Sequence, residues 1–191
     1  MKKIIISVFT AGSLLTYAQH VIIGDNVGTA TNKTNVLLEF AADQRKGITL
    51  PTVRNKPAGT GLVPGTLILD ASTPTDARVK FYNNKDAAVD NGWVDLSGNS
   101  GDVSVFLVDQ PANEPGVNDE GKAIIGAESS TADGVLVLES LEKAMVLPIV
   151  ESFTDIKNPA PGMMAFMTPA TGSRYYRLIV FNGTKWSFWK P

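Results

Sequence analysis

Apolar and polar residues follow each other along most of this chain with the spacing of half-buried β-strands. Residues 78–82 (Arg-Val-Lys-Phe-Tyr) alternate strictly, with a period of two. Glycine and proline together occupy 17 + 11 = 28 of the 191 positions and interrupt any run long enough for a helix. The pattern therefore predicts an all-β fold, with further strands at residues 36–40, 47–50, 66–69, 135–138, 144–147, 163–167 and 177–181.

The same series of short signals occurs twice. The first series is Ile22-Ile23-Gly24, Leu38-Glu39, Leu50-Pro51, Pro64-Gly65, Phe81-Tyr82-Asn83 and Trp93. The second is Ile124-Ile125-Gly126, Leu138-Glu139, Leu147-Pro148, Pro161-Gly162, Phe181-Asn182-Gly183 and Trp186. Six matches in the same order indicate a tandem duplication. We expect two related β-modules, sandwich-like or small sheet units, at residues 19–98 and 122–191.

The connections between the predicted strands differ in length. Asn182-Gly183 joins two β-prone runs and predicts a tight turn in which both central residues have positive φ. The first series has 12 positions from Phe81 to Trp93 where the second has 5 from Phe181 to Trp186, which indicates an insertion of about seven residues at a hairpin tip. Residues 99–121 are predicted to be a linker that contains one extra strand, at residues 103–108.

Residues 1–18 have the pattern of a signal peptide. Lys2 and Lys3 precede an apolar run at residues 4–15, and small residues before Gln19 predict cleavage after Ala18. We therefore expect a secreted or cell-surface protein that is not an integral membrane protein. Without the two leader lysines the chain has 17 − 2 = 15 basic and 19 acidic residues, so a nucleic-acid partner is not expected. Because cysteine is absent, disulfides and thiolate chemistry are excluded.

The order Leu-Glu, Lys-Gly or Lys-Ala, Leu-Pro, Pro-Gly, Phe-Asn-Gly and Trp resembles a repeat segment of secreted and tail-fibre-like surface proteins of the Bacteroidota. The resemblance covers nearly all of the chain after the leader. It implies a β-rich scaffold in a surface or fibre component, and it implies no catalytic residues. Because each module would bury only a thin core by itself, we expect self-association or binding to other surface proteins.

The aromatic residues near the C-terminal end are the candidates for ligand binding. On a strand, Trp186 and Phe188 would share one face and Trp189 would point the other way. Trp186, Trp189, Tyr175 and Tyr176 could stack against a sugar ring, with Arg174 as a hydrogen-bond donor. Packing in the core and contact with a partner are the alternatives for the same residues.

Catalytic and metal chemistry have weaker signals. His20 is the only histidine and would stand at a frayed new N-terminus, where it could not act as a base. Glu39 and Glu139 occupy matching places, which favours structural hydrogen bonds or ion pairs over catalysis. We expect no cofactor. Loop-bound calcium at residues 86–102 or 109–120 is the alternative, although neither stretch has a known calcium-loop spacing.

These observations predict an exported, non-enzymatic structural or adhesive protein that assembles through β-rich modules. Exposed strand edges would let subunits join, and Val21, Ile22 and Ile23 form a candidate strand for a neighbouring copy. The first alternative is a carbohydrate-binding module that uses exposed aromatic residues. The second is a hydrolase that uses two carboxylates.

Overall fold

The structure is a computed structural model that describes residues 20–85, 90–110, 121–168 and 176–189. The predicted leader lies outside these residues. The described chain is all-β, with short strands and single 3₁₀ turns, and none of its helices could cross a membrane. The strands are β1 (Val21–Ile23), β2 (Val36–Phe40), β3 (Ile48–Thr49), β4 (Thr52–Val53), β5 (Leu67–Asp70), β6 (Arg78–Tyr82), β7 (Trp93–Asp95), β8 (Ala123–Ile125), β9 (Leu136–Leu138), β10 (Ala144–Met145), β11 (Ile149–Val150), β12 (Met163–Met167), β13 (Arg177–Phe181) and β14 (Trp186–Trp189).

The strands of the described residues form four sheets. Two are small and parallel, with the strand orders β1-β2-β10 and β8-β9. Two are larger and mixed: β4-β5-β6-β7, and β11-β12-β13-β14 with β3 also paired to β12. In each larger sheet a short parallel strand is followed by an antiparallel meander of three strands. The strands predicted from the alternating pattern are present, although several are shorter than the pattern suggested.

The two larger sheets share one pairing register. Thr52 lies opposite Leu69 in the first sheet, and the residues 97 positions later, Ile149 and Phe166, lie opposite each other in the second. The closing hairpins match as well, because Tyr82 pairs with Trp93 and Phe181 pairs with Trp186. Tyr82 is therefore the counterpart of Phe181, one residue away from the match of Phe81 with Phe181 that the sequence suggested. The insertion in the first hairpin shrinks accordingly to six residues, 11 − 5.

Strands cross between the two halves of the chain. β10 lies parallel to β2, with Ala144 opposite Val36. In the other direction β3 runs antiparallel to β12, with Thr49 opposite Met163. We call these two pairings together the exchange interface. Because of it, each half supplies one strand to a sheet whose remaining strands belong to the other half.

The main core joins residues from both larger sheets. Its buried members include Leu69 and Val79 from the first sheet and Met164 and Val180 from the second. A second cluster covers the other face of the second sheet and contains Val150, Ile156, Ala165 and Ile179. Burying such side chains supplies the main favourable free energy of folding.

The strand predicted at residues 103–108 is wrong. Residues 106–108 form a 3₁₀ turn, in which the amide of Phe106 donates to the carbonyl of Val103 at 2.9 Å. Upstream, the carboxylate of Asp102 accepts a hydrogen bond from the amide of Ser104 at 2.9 Å. This local bonding favours a turn over an extended strand, despite the β-branched composition.

The predicted geometry of the Asn182-Gly183 turn is also wrong. The loop has four residues, 182–185, and only Gly183 of the predicted central pair has positive φ, at 100°. The buried Asn182 side chain accepts from the amides of Thr184 and Lys185 at 3.0 and 2.9 Å. It also donates to the carbonyl of Asn99 at 2.7 Å. These side-chain bonds fix a wider turn than the dipeptide alone would favour.

Candidate functional site

A shallow groove of about 350 Å³ lies where the first half of the chain meets the last strand. One wall is the loop at residues 95–99 and the other is β14. The groove combines carboxylate, hydroxyl and amide groups on the loop with aromatic rings on the strand. Its lining residues are Asp95, Leu96, Ser97, Gly98, Asn99, Trp186, Ser187, Phe188 and Trp189.

The aromatic wall divides its side chains between the two faces of the sheet. Trp186 packs against the second core cluster and contacts the ring of Phe181, with ring centroids 5.3 Å apart. Phe188 meets the ring of Phe153 edge-on at 5.3 Å. Trp189 is 45% exposed and alternates with these residues along the strand. Trp186 is thus largely a packing residue, and Trp189 is the most exposed of the three rings that line the groove.

The opposite wall is held in place by backbone and side-chain hydrogen bonds. One carboxylate oxygen of Asp95 accepts from the amide of Ser97 at 2.7 Å, and the other accepts from Arg78 at 2.7 Å. The buried hydroxyl of Ser97 accepts from the amide of Val79 at 2.6 Å. The hydroxyl of Ser187 on β14 donates to the carbonyl of Ser97 and ties the two walls together. This wall is therefore preorganised.

The structure brings together only some of the residues predicted to bind a sugar. Trp186 and Trp189 both line the groove. Tyr176 is 63% exposed, immediately before β13, and is not among the lining residues. Tyr175 and Arg174 lie outside the described residues. The polar loop at residues 95–99 was missed, because two hydrogen bonds between distant parts of the chain, Asn182–Asn99 and Ser187–Ser97, hold it beside β14.

Four charged side chains form a closed cluster on one face of the first larger sheet. We call Lys56, Asp70, Lys80 and Asp90 the four-charge cluster. The Lys80 ammonium lies 2.9 Å from Asp70 and 2.6 Å from Asp90. Lys56 bonds to Asp90 and lies 4.0 Å from Asp70. Asp90 reaches the cluster from a left-handed turn, with φ values of 47° at Asp90 and 52° at Asn91.

The titration of this cluster favours its charged state. Burial raises the pKa of Asp70, but hydrogen bonds from Ser72 and Lys80 outweigh burial and lower the pKa overall. The pKa of Asp90 is lowered in the same way, against burial, by Lys56 and Lys80. The pKa of Lys80 is raised, because its bonds to both aspartates outweigh burial. Neither carboxylate could serve as a general acid near neutral pH, since that role needs a raised pKa.

A second buried charge lies on β2 of the small parallel sheet. The carboxylate of Glu39 is completely buried and accepts from the amide of Ala30 at 2.8 Å. His20 approaches its Oε1 atom at 2.7 Å, and Lys33 donates to the same atom. Burial raises the pKa of Glu39, but the bonds from Lys33, Ala30 and His20 lower it overall. The expectation that His20 lies at a frayed terminus is therefore wrong, because Glu39 holds its ring.

Glu139 repeats part of this arrangement. The hydroxyl of Ser130 donates to its carboxylate, and Ser130 precedes Glu139 by nine residues, as Ala30 precedes Glu39. Both matched acids accept hydrogen bonds from the chain segment before them, as the sequence predicted for structural carboxylates.

The predicted assembly strand is already paired within the chain. Val21, Ile22 and Ile23 form β1 and lie parallel to β2, with Val21 opposite Leu38. Donation of this strand to a neighbour would require it to leave that pairing.

The predicted calcium loops fall partly outside the described residues, at 86–89 and 111–120. In the part of the chain that the structure describes, no three acidic or histidine side chains converge as a metal site would require. No family model, curated protein or solved structure matches the chain.

Proposed function

We propose that this protein is an exported, non-enzymatic structural or adhesive component of a cell surface or a secreted fibre. In this proposal a signal peptide is removed and two tandem modules, derived by duplication, follow it. The exchange interface is the observation that carries the proposal. Strands of one half complete sheets of the other half, so β-pairing already joins separate parts of the chain, and the same kind of contact could join copies.

The matching register of the two larger sheets supports the duplication. Residues 52–53 and 69–70 recur as pairing partners at 149–150 and 166–167, a constant shift of 97. Gly65 and Gly162 keep the same shift, and both have positive φ, at 93° and 79°. Agreement in backbone conformation at a required glycine is stronger support than composition alone.

The mass of residues 19–191 in solution tests the proposed function, measured by light scattering with electron microscopy of the same sample. We expect a concentration-dependent oligomer or fibres, since an assembling protein follows mass action. A monomer at all concentrations up to saturation would contradict the structural role.

Carbohydrate binding is the second candidate function, and the groove between residues 95–99 and β14 favours it. An exposed indole ring beside fixed polar groups suits a sugar. The apolar face of the sugar can stack on the indole ring, and the sugar hydroxyls can form hydrogen bonds with the polar groups. A glycan array on the unmodified protein, on Trp189→Ala and on Tyr176→Ala tests this function. Retention that disappears in Trp189→Ala but persists in Tyr176→Ala would place the sugar in the groove. Equal retention by both variants would exclude the groove.

A further inference from the structure

Within the described residues, β3 and β10 each pair along one edge in the exchange interface. The register of the sheets would allow each of these two strands to pair along its second edge as well. β3 pairs with β12 of the second half, and its sequence counterpart β10 pairs with β2 of the first half. If the two halves are equivalent, the second edge of β10 can pair with β5, the counterpart of β12. By the same reasoning, the second edge of β3 can pair with β9, the counterpart of β2.

The edge of β5 has no strand, among the described residues, at the place where β12 pairs with β3. Within the described residues β5 pairs only with β4 and β6, whereas β12 pairs with β11, β13 and β3. A Cβ atom added at Gly162 would lie 3.1 Å from Leu69 and 3.3 Å from the carbonyl of Leu50. The same atom at the counterpart Gly65 would meet nothing within 4 Å. Among the described residues, none fills beside β5 the site that β3 fills beside β12.

The edge of β9 shows the same vacancy at the other end of the chain. β2 lies between β1 and β10, whereas β9 has only β8 beside it in the described structure. Leu136 on β9 is 47% exposed, and Val36 at the matching place on β2 is 5% exposed. Val135 is 69% exposed next to it. An open edge that carries apolar side chains is a site for strand addition.

We propose that copies of this protein associate head to tail by repeating the exchange interface between chains. β10 of one copy pairs antiparallel with β5 of the next, and β3 of that next copy pairs parallel with β9 of the first. This inference rests on the proposed function and names its partner as a second copy of the chain. Because the two joined edges belong to different ends, the contact is heterologous and extends into a filament or closes into a ring.

The intrachain interface sets the expected register. The amide of Leu50 donates to the carbonyl of Gly162 at 3.0 Å, and Thr49 lies opposite Met163. Leu147 lies 97 positions after Leu50, and Gly65 lies 97 positions before Gly162. The same contact between two copies therefore places Leu147 against Gly65 of the next copy. Val146 then lies opposite Thr66 of that copy. Facing residues of an antiparallel pair have Cβ atoms close enough for a disulfide.

Disulfide trapping tests this register, since the chain has no native cysteine. Thr66→Cys and Val146→Cys are prepared as two separate proteins, mixed and oxidised. We expect a disulfide-linked dimer of one copy of each, and at least tenfold less dimer from either protein alone. The double variant Thr49→Cys/Met163→Cys is the matched control and should form its disulfide within one chain.

A charge on the open edge gives an independent test of the same contact. Val135→Lys should shift the mass from assembled to monomeric, because an edge lysine opposes strand addition. Val108→Lys is the control, since Val108 is 80% exposed in the 3₁₀ turn Phe106–Val108 and belongs to none of the four strands of the proposed contact, and it should assemble like the unmodified protein.

The outcomes separate this inference from the proposed function. Fibres that form without the mixed disulfide and persist in Val135→Lys would overturn the head-to-tail contact, while the structural role would stand. An unmodified protein that stays monomeric would overturn both. The mixed disulfide together with loss of assembly in Val135→Lys would support both.

Discussion

The two larger sheets have the same pairing register, but they carry opposite chemistry on the face away from the main core. Lys80 lies opposite Ile68 in the first sheet, and Ile179 lies opposite Ala165 at the matching place in the second. Lys80 belongs to the four-charge cluster, whereas Ile179 is buried in the second apolar cluster. One backbone arrangement thus accommodates an ion-pair network in one half and an apolar cluster in the other.

The comparison shows which interactions the register depends on. The main core contains residues of both sheets, such as Val79 and Val180, and it is apolar throughout. The outer faces differ, yet the strands pair in the same way. On the outer face of the first sheet the charges neutralise one another. On the outer face of the second sheet the apolar side chains pack together and exclude water. We infer that the shared core and the strand ladders fix the sheets and that the outer faces adjust stability.

Removing apolar contacts from the second sheet should have the largest effect. Ile179→Ala leaves a cavity at a fully buried position and should lower the free energy of unfolding by about 4 kcal/mol. Urea denaturation monitored by tryptophan fluorescence measures this loss, which should not change with salt. Leu141→Ala, at an exposed position, should stay within about 0.5 kcal/mol. A loss below about 0.5 kcal/mol for Ile179→Ala, which is the ordinary range for surface substitutions, would mean that the apolar cluster contributes little.

Removing one charge from the first sheet should have a somewhat smaller effect. Lys80→Met removes the nearest cation from Asp70, which is almost fully buried. The more distant Lys56 is then the remaining lysine of the cluster that can neutralise it. Because the cluster is partly exposed, we expect a loss of about 2–3 kcal/mol, below the range for a fully buried pair. Lys157→Met, at an exposed lysine, is the control. Equal stability of the two variants in urea would show that the cluster is not a stabilising unit.

The two faces should also respond differently to pH. Asp70 and Asp90 have lowered pKa values when folded, so their contribution is present above their unfolded pKa near 3.8. It is lost as the pH falls through the folded values. Stability of the unmodified protein should therefore fall below about pH 4. The fall should be smaller in the double variant Asp70→Met/Lys80→Ile. Thermal unfolding between pH 2 and 7 measures this difference. An equal fall would assign the acid sensitivity to other carboxylates, such as Glu39.

The sequence predicted the strands better than their chemistry. Alternation marked residues 78–82 and the apolar runs, because side chains on a strand change face at every residue. The one-residue error in matching Phe81 with Phe181 concealed the correspondence between Lys80 and Ile179. That error arose because Phe-Asn-Gly and Phe-Tyr-Asn look alike, while the register is fixed by Tyr82 opposite Trp93.

Contacts that depend on distant parts of the chain could not be predicted. β3 and β10 have two residues each, so their apolar pattern cannot specify a partner. Asp90 reaches Lys80 only because the residues at 90–92 adopt positive φ values. His20 is held by a carboxylate nineteen residues away in sequence. In each case tertiary structure, and not local propensity, decides the contact.

The smallest expected effect concerns the edge of the apolar face. Ser152 begins the 3₁₀ turn Phe153–Asp155: its hydroxyl accepts from the amide of Thr154 at 3.2 Å, and its amide donates to Asp155 at 3.1 Å. This cap places Phe153 against Phe188, whereas Lys56 occupies the matching place in the first sheet and ends in the four-charge cluster. Ser152→Ala should cost about 1 kcal/mol, independent of salt, because only the side-chain half of the cap is lost. Ser129→Ala, at an exposed serine, is the control in the same urea titration. A loss in Ser152→Ala that disappears in high salt would mean that the turn is held by charge, and the contrast between the two faces would then not extend to this edge.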